Sequence, residues 1–479
     1  MVEPSPSGHR VVVVGADAAG MSAALQAMRT ARAAGRDLAV TVLERTAHTS
    51  YSACGIPYWV AGDVEDGAAL VARTAQQHRD AGIDLRLHVE AVGLDVVART
   101  VTAQHVVTGQ RSVLPYDDVV LATGAAPLVP PWALDADGRT VEGVRAVKDL
   151  DDGAAWVGML AAGPRTGVVV GGGYIGLEMA EAFVRKGLTT TLVTRREVMS
   201  TLDPDLGARV REAVETAGVR VVAGADVDGL STDDTGRVAC VSAGGRRFEG
   251  DVVALGLGAR PRSELALAAG LATGAFGGVL TDDHQRVLGP EGAVVPGVWA
   301  AGDCCEHVER HGGRRVYVPL GTHANKQGRV LGTNLGALAA GAPQPPARFE
   351  GVLGTAVTRF VAGGVHVEIG RTGPTTQQAR DAGYDVASLV TESSTASGYM
   401  PEAAPVAVKV LADRESRRLL GVQLVGGPGS AKRVDTAAAA IWLHASVDDV
   451  AAMDLSYAPP FSPVYDPVQI ACRRLAELL

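Results

Sequence analysis

Lysine is almost missing from this chain: only Lys148, Lys186, Lys326, Lys409 and Lys432 occur in 479 residues. Acids outnumber basic residues 53 to 44, for a net charge of −9. A mildly acidic, well-mixed chain offers no phosphate-neutralising surface, which sets nucleic acid aside as a partner. The positive charge that remains is almost all arginine, the better fork for a phosphate group. No run of about 18 apolar residues occurs, so no membrane span is expected. The opening MVEPSPSGHR passes into VVVVG without the longer apolar stretch of a secretory signal. Cysteine is scarce and odd in number, five in all, which is no disulfide framework and fits a reducing cytoplasm. Aromatic residues make up only 4%, but 47% hydrophobic residues with 20% charged ones suffice for large buried cores and exclude wholesale disorder. At roughly 150 residues per domain, about three domains are expected.

What the chain has in quantity is glycine, 59 residues, and several fall where a strand turns into a helix. Arg10–Val14 is a β-branched run that reads as a buried strand. Gly15-Ala16-Asp17-Ala18-Ala19-Gly20 follows, then a helix-forming stretch, Met21–Ala34, and a second strand, Leu38–Leu43, ending in Glu44. The same grammar returns with Gly167–Val170 as strand, Gly171-Gly172-Gly173-Tyr174-Ile175-Gly176 as turn, Leu177–Lys186 as helix and Thr189–Val193 as second strand. Strand, glycine turn, helix and strand make a βαβ unit, and two such units predict two doubly wound dinucleotide-binding domains. The second turn is a full G-x-G-x-x-G in the required strand-to-helix context. The first has Asp17 in place of the middle glycine, but Glu44 supports it, since a carboxylate there can accept both ribose hydroxyl protons.

Asp118–Thr123 reads as a strand ending in Ala122-Thr123-Gly124, Asp251–Leu255 as one running into Gly256-Leu257-Gly258, and Val298–Asp303 as an apolar strand ending in an acid. From about Pro343 the texture changes to alternating strands (Gly364–Gly370, Ala407–Leu411, Gly421–Val425) with helices between them. That segment predicts a separate α+β domain, with Gly341–Pro346 as linker. The fold class is therefore α/β with two doubly wound domains and a C-terminal α+β domain. Boundaries are expected at 1–145 with 276–345 for the first domain, 146–275 for the second and 346–479 for the third.

Cys54, in Ser50-Tyr51-Ser52-Ala53-Cys54-Gly55-Ile56-Pro57-Tyr58-Trp59, is the candidate reactive group. A cysteine just after the first βαβ unit lies near the bound dinucleotide, and a helix opening there would favour the nucleophilic thiolate. Cys240 and Cys472 fall in apolar strand and helix patterns and read as core. Adjacent cysteines such as Cys304 and Cys305 cannot easily form an unstrained disulfide with each other and are read as structural. No metal site is expected.

At this point the chain resembles the flavoprotein pyridine nucleotide–disulfide oxidoreductases in their single-cysteine branch, the coenzyme A disulfide reductases, NADH oxidases and peroxidases. The matching stretches are the opening fingerprint, S-Y-S-A-C-G-I-P-Y, L-A-T-G-A-A-P, G-G-G-Y-I-G-L-E-M-A-E, V-W-A-A-G-D, P-L-G-T-H-A-N-K-Q-G-R and Y-A-P-P-F-S-P-V-Y-D-P-V, in one order over essentially the whole length. The resemblance implies FAD on the first domain, held by Gly15, Ala18, Ala19, Gly20, Glu44, Arg45, Ser52, Ala91, Ala122, Thr123, Gly124, Gly302 and Asp303. It implies the nicotinamide cofactor on the second, at Gly171, Gly173, Tyr174, Ile175, Gly176, Glu178, Thr194, Arg195, Arg196 and Gly258. Tyr174 would cover the flavin until nicotinamide displaces it, and Glu178 would lie beside the nicotinamide. Dithiol members of the superfamily carry a second cysteine five positions after the first; here that residue is Trp59. Cys54 would therefore cycle as a mixed disulfide with a small thiol, or as a sulfenic acid.

Oxidase and peroxidase relatives carry a histidine in the first glycine turn, at the position of Ala18. Disulfide reductase relatives carry two active-site tyrosines, matched here by Tyr399 and Tyr457, and a phenol can donate a proton to a leaving thiolate. Disulfide reduction is therefore the expected activity. An NAD(P)H oxidase or peroxidase is the first alternative, and a flavin redox sensor or electron-transfer protein the second. Coenzyme A disulfide reductases usually have Asn before the cysteine, where this chain has Ala53. They also carry several arginines on the first helix, where only Arg29 remains, so another small disulfide or a persulfide stays open as substrate. His323 reads as structural. Relatives are two-fold dimers, which predicts a homodimer with Tyr399 and Tyr457 acting in the partner's site. Thr194, Arg195 and Arg196 predict NADPH over NADH: no acid repels a 2′-phosphate and two guanidinium groups can grip it.

Overall fold

A computed structural model of the chain describes residues 8–479. By backbone proximity these fall into two compact units. The first holds the residues up to Ala53, Ala68–Ala126 and Ala259–Val352; the second holds Cys54–Gly67, Pro127–Gly258 and Leu353–Leu479.

The first unit is built on a six-stranded sheet ordered Arg286–Leu288, Val294–Ala300, Asp118–Leu121, His9–Val14, Leu38–Glu44, Asp84–Leu87. All neighbours are parallel except the first pair. Buried parallel strands must be apolar on both faces, and Val11, Val12, Val13 and Val14 are all buried. The helix Ala18–Ala33 covers one face and packs on the helix Gly321–Ala339 with hardly any side chain between them. Added β-carbons on Gly328, Gly332 and Gly336 would stand 2.3, 2.4 and 2.4 Å from the carbonyl oxygens of Ala19, Ala23 and Ala27. Small residues at every fourth position on both helices thus bring backbone against backbone. A three-stranded antiparallel sheet, Val89–Asp95, Thr100–His105 and Arg111–Pro115, completes this unit.

The second unit contains a five-stranded parallel sheet ordered Arg220–Ala223, Thr189–Thr194, Thr166–Val170, Val252–Leu255, Val144–Ala146, and a hairpin sheet over Val227–Glu249. It also holds a five-stranded antiparallel sheet ordered Ala356–Ala362, Val365–Thr372, Leu419–Gly426, Pro405–Asp413, Val386–Ser394. The helices Val434–Trp442, Val447–Ala452 and Pro467–Ala476 supply the apolar cover of that sheet, through Val434, Ile441, Val450, Val468 and Cys472. The two doubly wound sheets and the C-terminal α+β fold are as the sequence predicts. No helix among the described residues is long and apolar enough to cross a membrane.

Element types agree with the sequence, but both fingerprint helices begin three residues earlier than expected, at Ala18 and Tyr174 rather than Met21 and Leu177. The last glycine of each turn lies inside the helix, because its missing β-carbon is what lets the helix sit on the strand end. A β-carbon on Gly20 would meet the Gly15 oxygen at 1.9 Å, and one on Gly176 the Gly171 oxygen at 1.8 Å.

Candidate active site

The first unit brings one group of predicted residues together. Gly15 has φ 108° and leaves the strand with its N–H on Leu43 O at 2.8 Å. A side chain there is excluded twice, by that dihedral and by the Ala122 oxygen, 2.2 Å from a β-carbon. Ala18, Ala19 and Gly20 form the first helical turn. Glu44 ends the neighbouring strand with its carboxylate already positioned: Oε2 accepts the Ala16 N–H at 3.0 Å and Oε1 accepts the Thr46 N–H and hydroxyl at 2.9 and 2.8 Å. Thr123 donates to Arg262 O at 2.5 Å, Gly124 lies at φ 69°, and buried Gly302 donates its N–H to Gln327 at 2.9 Å beside Asp303. Arg45 and Ser52 are exposed and Ala91 is half-buried. Backbone N–H groups at the helix start and a fixed acid at the next strand end suit a dinucleotide's pyrophosphate and ribose.

In the second unit the same frame recurs. Gly171, at φ 111°, donates to Val193 O at 2.8 Å. Around an added β-carbon on Gly173 nothing lies within 4 Å, so this backbone faces open space that a pyrophosphate can enter. Tyr174 and Ile175 start the helix Tyr174–Arg185, and burial raises the Tyr174 pKa. Thr194 is buried, its hydroxyl 2.9 Å from where a Gly172 β-carbon would be. Its side chain therefore backs the glycine turn instead of reaching outward. Arg195 and Arg196 are exposed, the former 4.0 Å from Asp226 and the latter without an ion pair. Gly258 is exposed and takes the Leu128 N–H on its carbonyl.

Cys54 is exposed, in the single 3-10 turn Ala53–Gly55 just ahead of the helix Ile56–Ala61. That helix has six residues, so its dipole lends the sulfur little support. None of the five cysteines is disulfide-bonded. Trp59 lies across two glycines: β-carbons on Gly153 and Gly67 would be 2.7 and 2.6 Å from its ring. An indole thus fills the place where a second cysteine would stand.

Glu178, which the sequence singled out, and Asp63, Glu181 and Tyr58, which it did not, surround this segment. Asp63 is gripped by Arg185, at 2.6 and 2.7 Å, and by Arg359 at 2.9 Å. Glu181, fully buried, accepts the Val361 N–H at 2.9 Å and Arg185 at 3.3 Å. Glu178 accepts the Thr358 hydroxyl at 2.9 Å. Tyr58 interacts with Thr358 and Glu178, with the Arg359 guanidinium over its ring at 5.4 Å. Burial lifts the Glu178 carboxyl to about 7, and burial together with the Glu178 charge lifts the Tyr58 phenol to about 12. These partners lie about 120 and 180 positions from Glu178, and no local pattern announces them.

Tyr399 and Tyr457 belong to two loops that the structure joins. Ser397 N–H donates to Pro459 O at 2.9 Å, and Arg433, paired with Asp466, bonds to Thr395 O and Phe461 O. Tyr399 is 74% and Tyr457 47% exposed, with Phe461, Val464 and Tyr465 also exposed. That many exposed large apolar groups in two adjoining loops mark an interaction surface. Cys304 and Cys305 are fully buried with sulfurs 3.8 Å apart, and Cys304 donates to Leu121 O and Ala301 O. Cys240 and Cys472 are buried as well. His323 is buried, its Nδ1 at 3.1 Å from Val318 O.

Comparison with known proteins agrees with this geometry. The family described as pyridine nucleotide-disulphide oxidoreductase matches residues 9–328, and its dimerisation domain matches residues 364–467. An NAD(P)H coenzyme A polysulfide/persulfide reductase of Pyrococcus horikoshii is 34% identical over 97% of this chain and 98% of its own length. An NAD-dependent persulfide reductase from A. fulgidus has the same fold, with a TM-score of 0.88 at 31% identity over 98% of this chain and 83% of that one. A water-forming NADPH oxidase engineered from a Lactobacillus brevis NADH oxidase and solved with NADPH gives a TM-score of 0.87 at 25% identity, covering 98% of this chain and 99% of that one.

Proposed function

Because this chain belongs to the pyridine nucleotide-disulphide oxidoreductases, and so is an FAD-dependent NAD(P)H:disulfide oxidoreductase with a dimerisation domain, we propose that it reduces a small disulfide or persulfide through Cys54 alone. The observation that carries the single-cysteine reading is Trp59, packed between Gly67 and Gly153 where a second thiol would be needed. The Pyrococcus and A. fulgidus relatives, both described as persulfide reductases, favour a persulfide or polysulfide substrate over coenzyme A disulfide, as do Ala53 and the single Arg29.

The first glycine turn, Glu44, Thr123, Gly124 and Asp303 hold FAD in this reading, and the second turn with Glu178 receives the nicotinamide. Bound FAD supplies the electron pair that reaches the sulfur. Cys54 as thiolate attacks R–S–S–R, forming the Cys54–S–S–R mixed disulfide and expelling RS⁻, which leaves as RSH with a proton from Tyr457. Two electrons then return Cys54 to thiolate and release the second thiol. Tyr399 and Tyr457 act in the site of the second subunit of a homodimer, which gives their exposed loops a partner. NADPH is the preferred donor: Arg195 and Arg196 grip the 2′-phosphate, while Thr194 contributes by not being an acid. The engineered NADPH oxidase supports this, since its description includes an aspartate-to-alanine change and an adjoining alanine-to-arginine change. The domain division 1–145 with 276–345, 146–275 and 346–479 is part of the same proposal.

Cys54→Ser is expected to keep FAD and its reduction by NADPH but to lose at least about 10³-fold in disulfide or persulfide turnover, because the covalent route is gone. Intact mass of the native protein before and after reduction should show one thiol adduct on Cys54. Turnover in the serine variant near that of the native enzyme would remove Cys54 from the mechanism. Rapid oxygen consumption without any disulfide would favour the oxidase reading.

A further inference from the structure

The helix that follows the second glycine turn carries Glu178, Glu181 and Arg185 along one stripe, and two of the three are occupied by structural bonds. Arg185 forks Asp63 and reaches Glu181. Glu181 also takes the Val361 N–H. Glu178 is different. Its carboxyl accepts from Thr358 and interacts with Tyr58, yet it makes no ion pair among the described residues, because the guanidiniums of Arg185 and Arg359 are both turned to Asp63. A half-buried carboxyl with no cation beside it is costly to ionise. Burial accordingly raises its pKa to about 7, while the bonds from Thr358 and Tyr58 pull it down and the Glu181 charge pushes it further up. Tyr174, on the same helix, is the remaining titratable group that interacts with it.

We infer that Thr358, by donating a hydrogen bond to the carboxyl of Glu178, and Tyr58, which interacts with the same carboxyl, are positioning residues for the nicotinamide step: by favouring the charged form they fix how readily that carboxyl becomes the counter-charge of an oxidised nicotinamide ring. The inference rests on the reading that Glu178 lies beside the nicotinamide. Loss of hydride leaves that ring positively charged. A carboxylate held next to it stabilises the developing charge, whereas a neutral carboxyl does little. Tyr58 lies one turn beyond Cys54 in the chain, so the carboxyl that senses the donor is tied to the segment that carries the acceptor sulfur.

The test is equilibrium binding to the oxidised, FAD-loaded protein between pH 5.5 and 8.5, with NADP⁺ and with 2′-phospho-ADP-ribose. The second probe shares the 2′-phosphate and its titration but has no nicotinamide ring; NAD⁺ and ADP-ribose form a second pair. In the native protein the affinity ratio of NADP⁺ to its ring-less probe should rise about 10-fold with pH, with an inflection near 7. Glu178→Gln should flatten the ratio. Thr358→Val and Tyr58→Phe should each move the inflection upward by about one pH unit, since each removes a bond that favours the carboxylate. Thr358→Ser should restore the native inflection. If Glu178→Gln removes the inflection but the valine and phenylalanine variants leave it in place, the positioning role is overturned and the nicotinamide reading stands. If Glu178→Gln keeps a native inflection, the nicotinamide reading itself falls. A flat ratio in the native protein overturns both.

Discussion

In the first glycine turn Val14 pairs with Leu43 and Gly15 N–H bonds to Leu43 O; in the second Val170 pairs with Val193 and Gly171 N–H bonds to Val193 O, both bonds at 2.8 Å. The residue that follows is Glu44 in one and Thr194 in the other. Glu44 closes back on the Ala16 N–H, and Thr194 packs under Gly172, which occupies the place of Ala16. The helices that leave the turns differ more. Ala18–Ala33 is covered by a glycine stripe, with the Ser22 hydroxyl donating to Asn325 across the contact at 2.9 Å, while Tyr174–Arg185 presents the carboxylates Glu178 and Glu181 to Thr358 and Val361. One backbone frame thus recurs with different chemistry at the strand end and on the second face of the helix. The glycines set the grip; the strand-end residue and the helix's second face set the task.

The largest expected effect breaks this comparison on the first side. Gly332→Val places a branched side chain where even a β-carbon would be 2.4 Å from Ala23 O. The two helices must separate, at a cost of at least about 3 kcal/mol, the upper end for overpacking. Both FAD retention and the first thermal transition should be lost. In the second unit, Phe183→Ala removes a buried ring in tilted contact with Trp156, centroids 5.5 Å apart, and costs a comparable amount, about 3–4 kcal/mol, but FAD should stay bound. Calorimetry with flavin fluorescence checks both. Equal loss of FAD in the two variants would mean that the two units are not separate holders.

How far the sequence reached follows from the same two units. The strands, turns and helices of the two βαβ units were legible, because apolar runs and glycine turns are local signals, and Glu44 and Thr194 were legible from their place at a strand end; short strands such as Asp84–Leu87 and Arg220–Ala223 were not. The glycine stripe was missed because glycine inside a helix reads as a weak helix former, and its purpose needs the partner's Ala19, Ala23 and Ala27, some 300 residues away. Tyr58, Thr358 and Glu178 were never visible as a group, since three elements bring them together. Trp59 was noticed only as an absent cysteine, not as an indole seated on two glycines.

Exchange of the strand-end chemistry sharpens the comparison at intermediate size. Thr194→Glu with Arg195→Ala and Arg196→Ala gives the second turn the acid of the first. Glu44 shows how such a side chain fits, with its carboxylate on the backbone N–H of the residue after the first glycine; Gly172 N–H offers the same donor. Removing two charge-assisted contacts and adding a repulsion should shift the ratio of kcat/KM for NADPH and NADH toward NADH by about 10²-fold or more. FAD content should not change. A native enzyme that already prefers NADH would overturn the assignment of this turn.

The smallest effect isolates one surface charge. Asp226 sits 4.0 Å from the Arg195 guanidinium, and the two side chains are 72% and 71% exposed. Such a pair holds its arginine only weakly, for about 0–1 kcal/mol, but an acid this close to Arg195 repels a 2′-phosphate that, in the proposed reading, Arg195 grips. Asp226→Asn releases Arg195 and removes a repulsion, so both contributions act in the same direction. KM for NADPH should fall by no more than about twofold to threefold, KM for NADH should not move, and the gain should fade in about 0.5 M salt as screening shortens the reach of the remaining charges. A rise in KM for NADPH would show that Asp226 orients Arg195 toward the phosphate instead of competing for it. A matching fall in KM for NADH would place Asp226 near a part of the dinucleotide that both donors share. The first result would keep Arg195 in the discrimination with Asp226 as its positioning residue; the second would move the discrimination to Arg196, which makes no ion pair among the described residues.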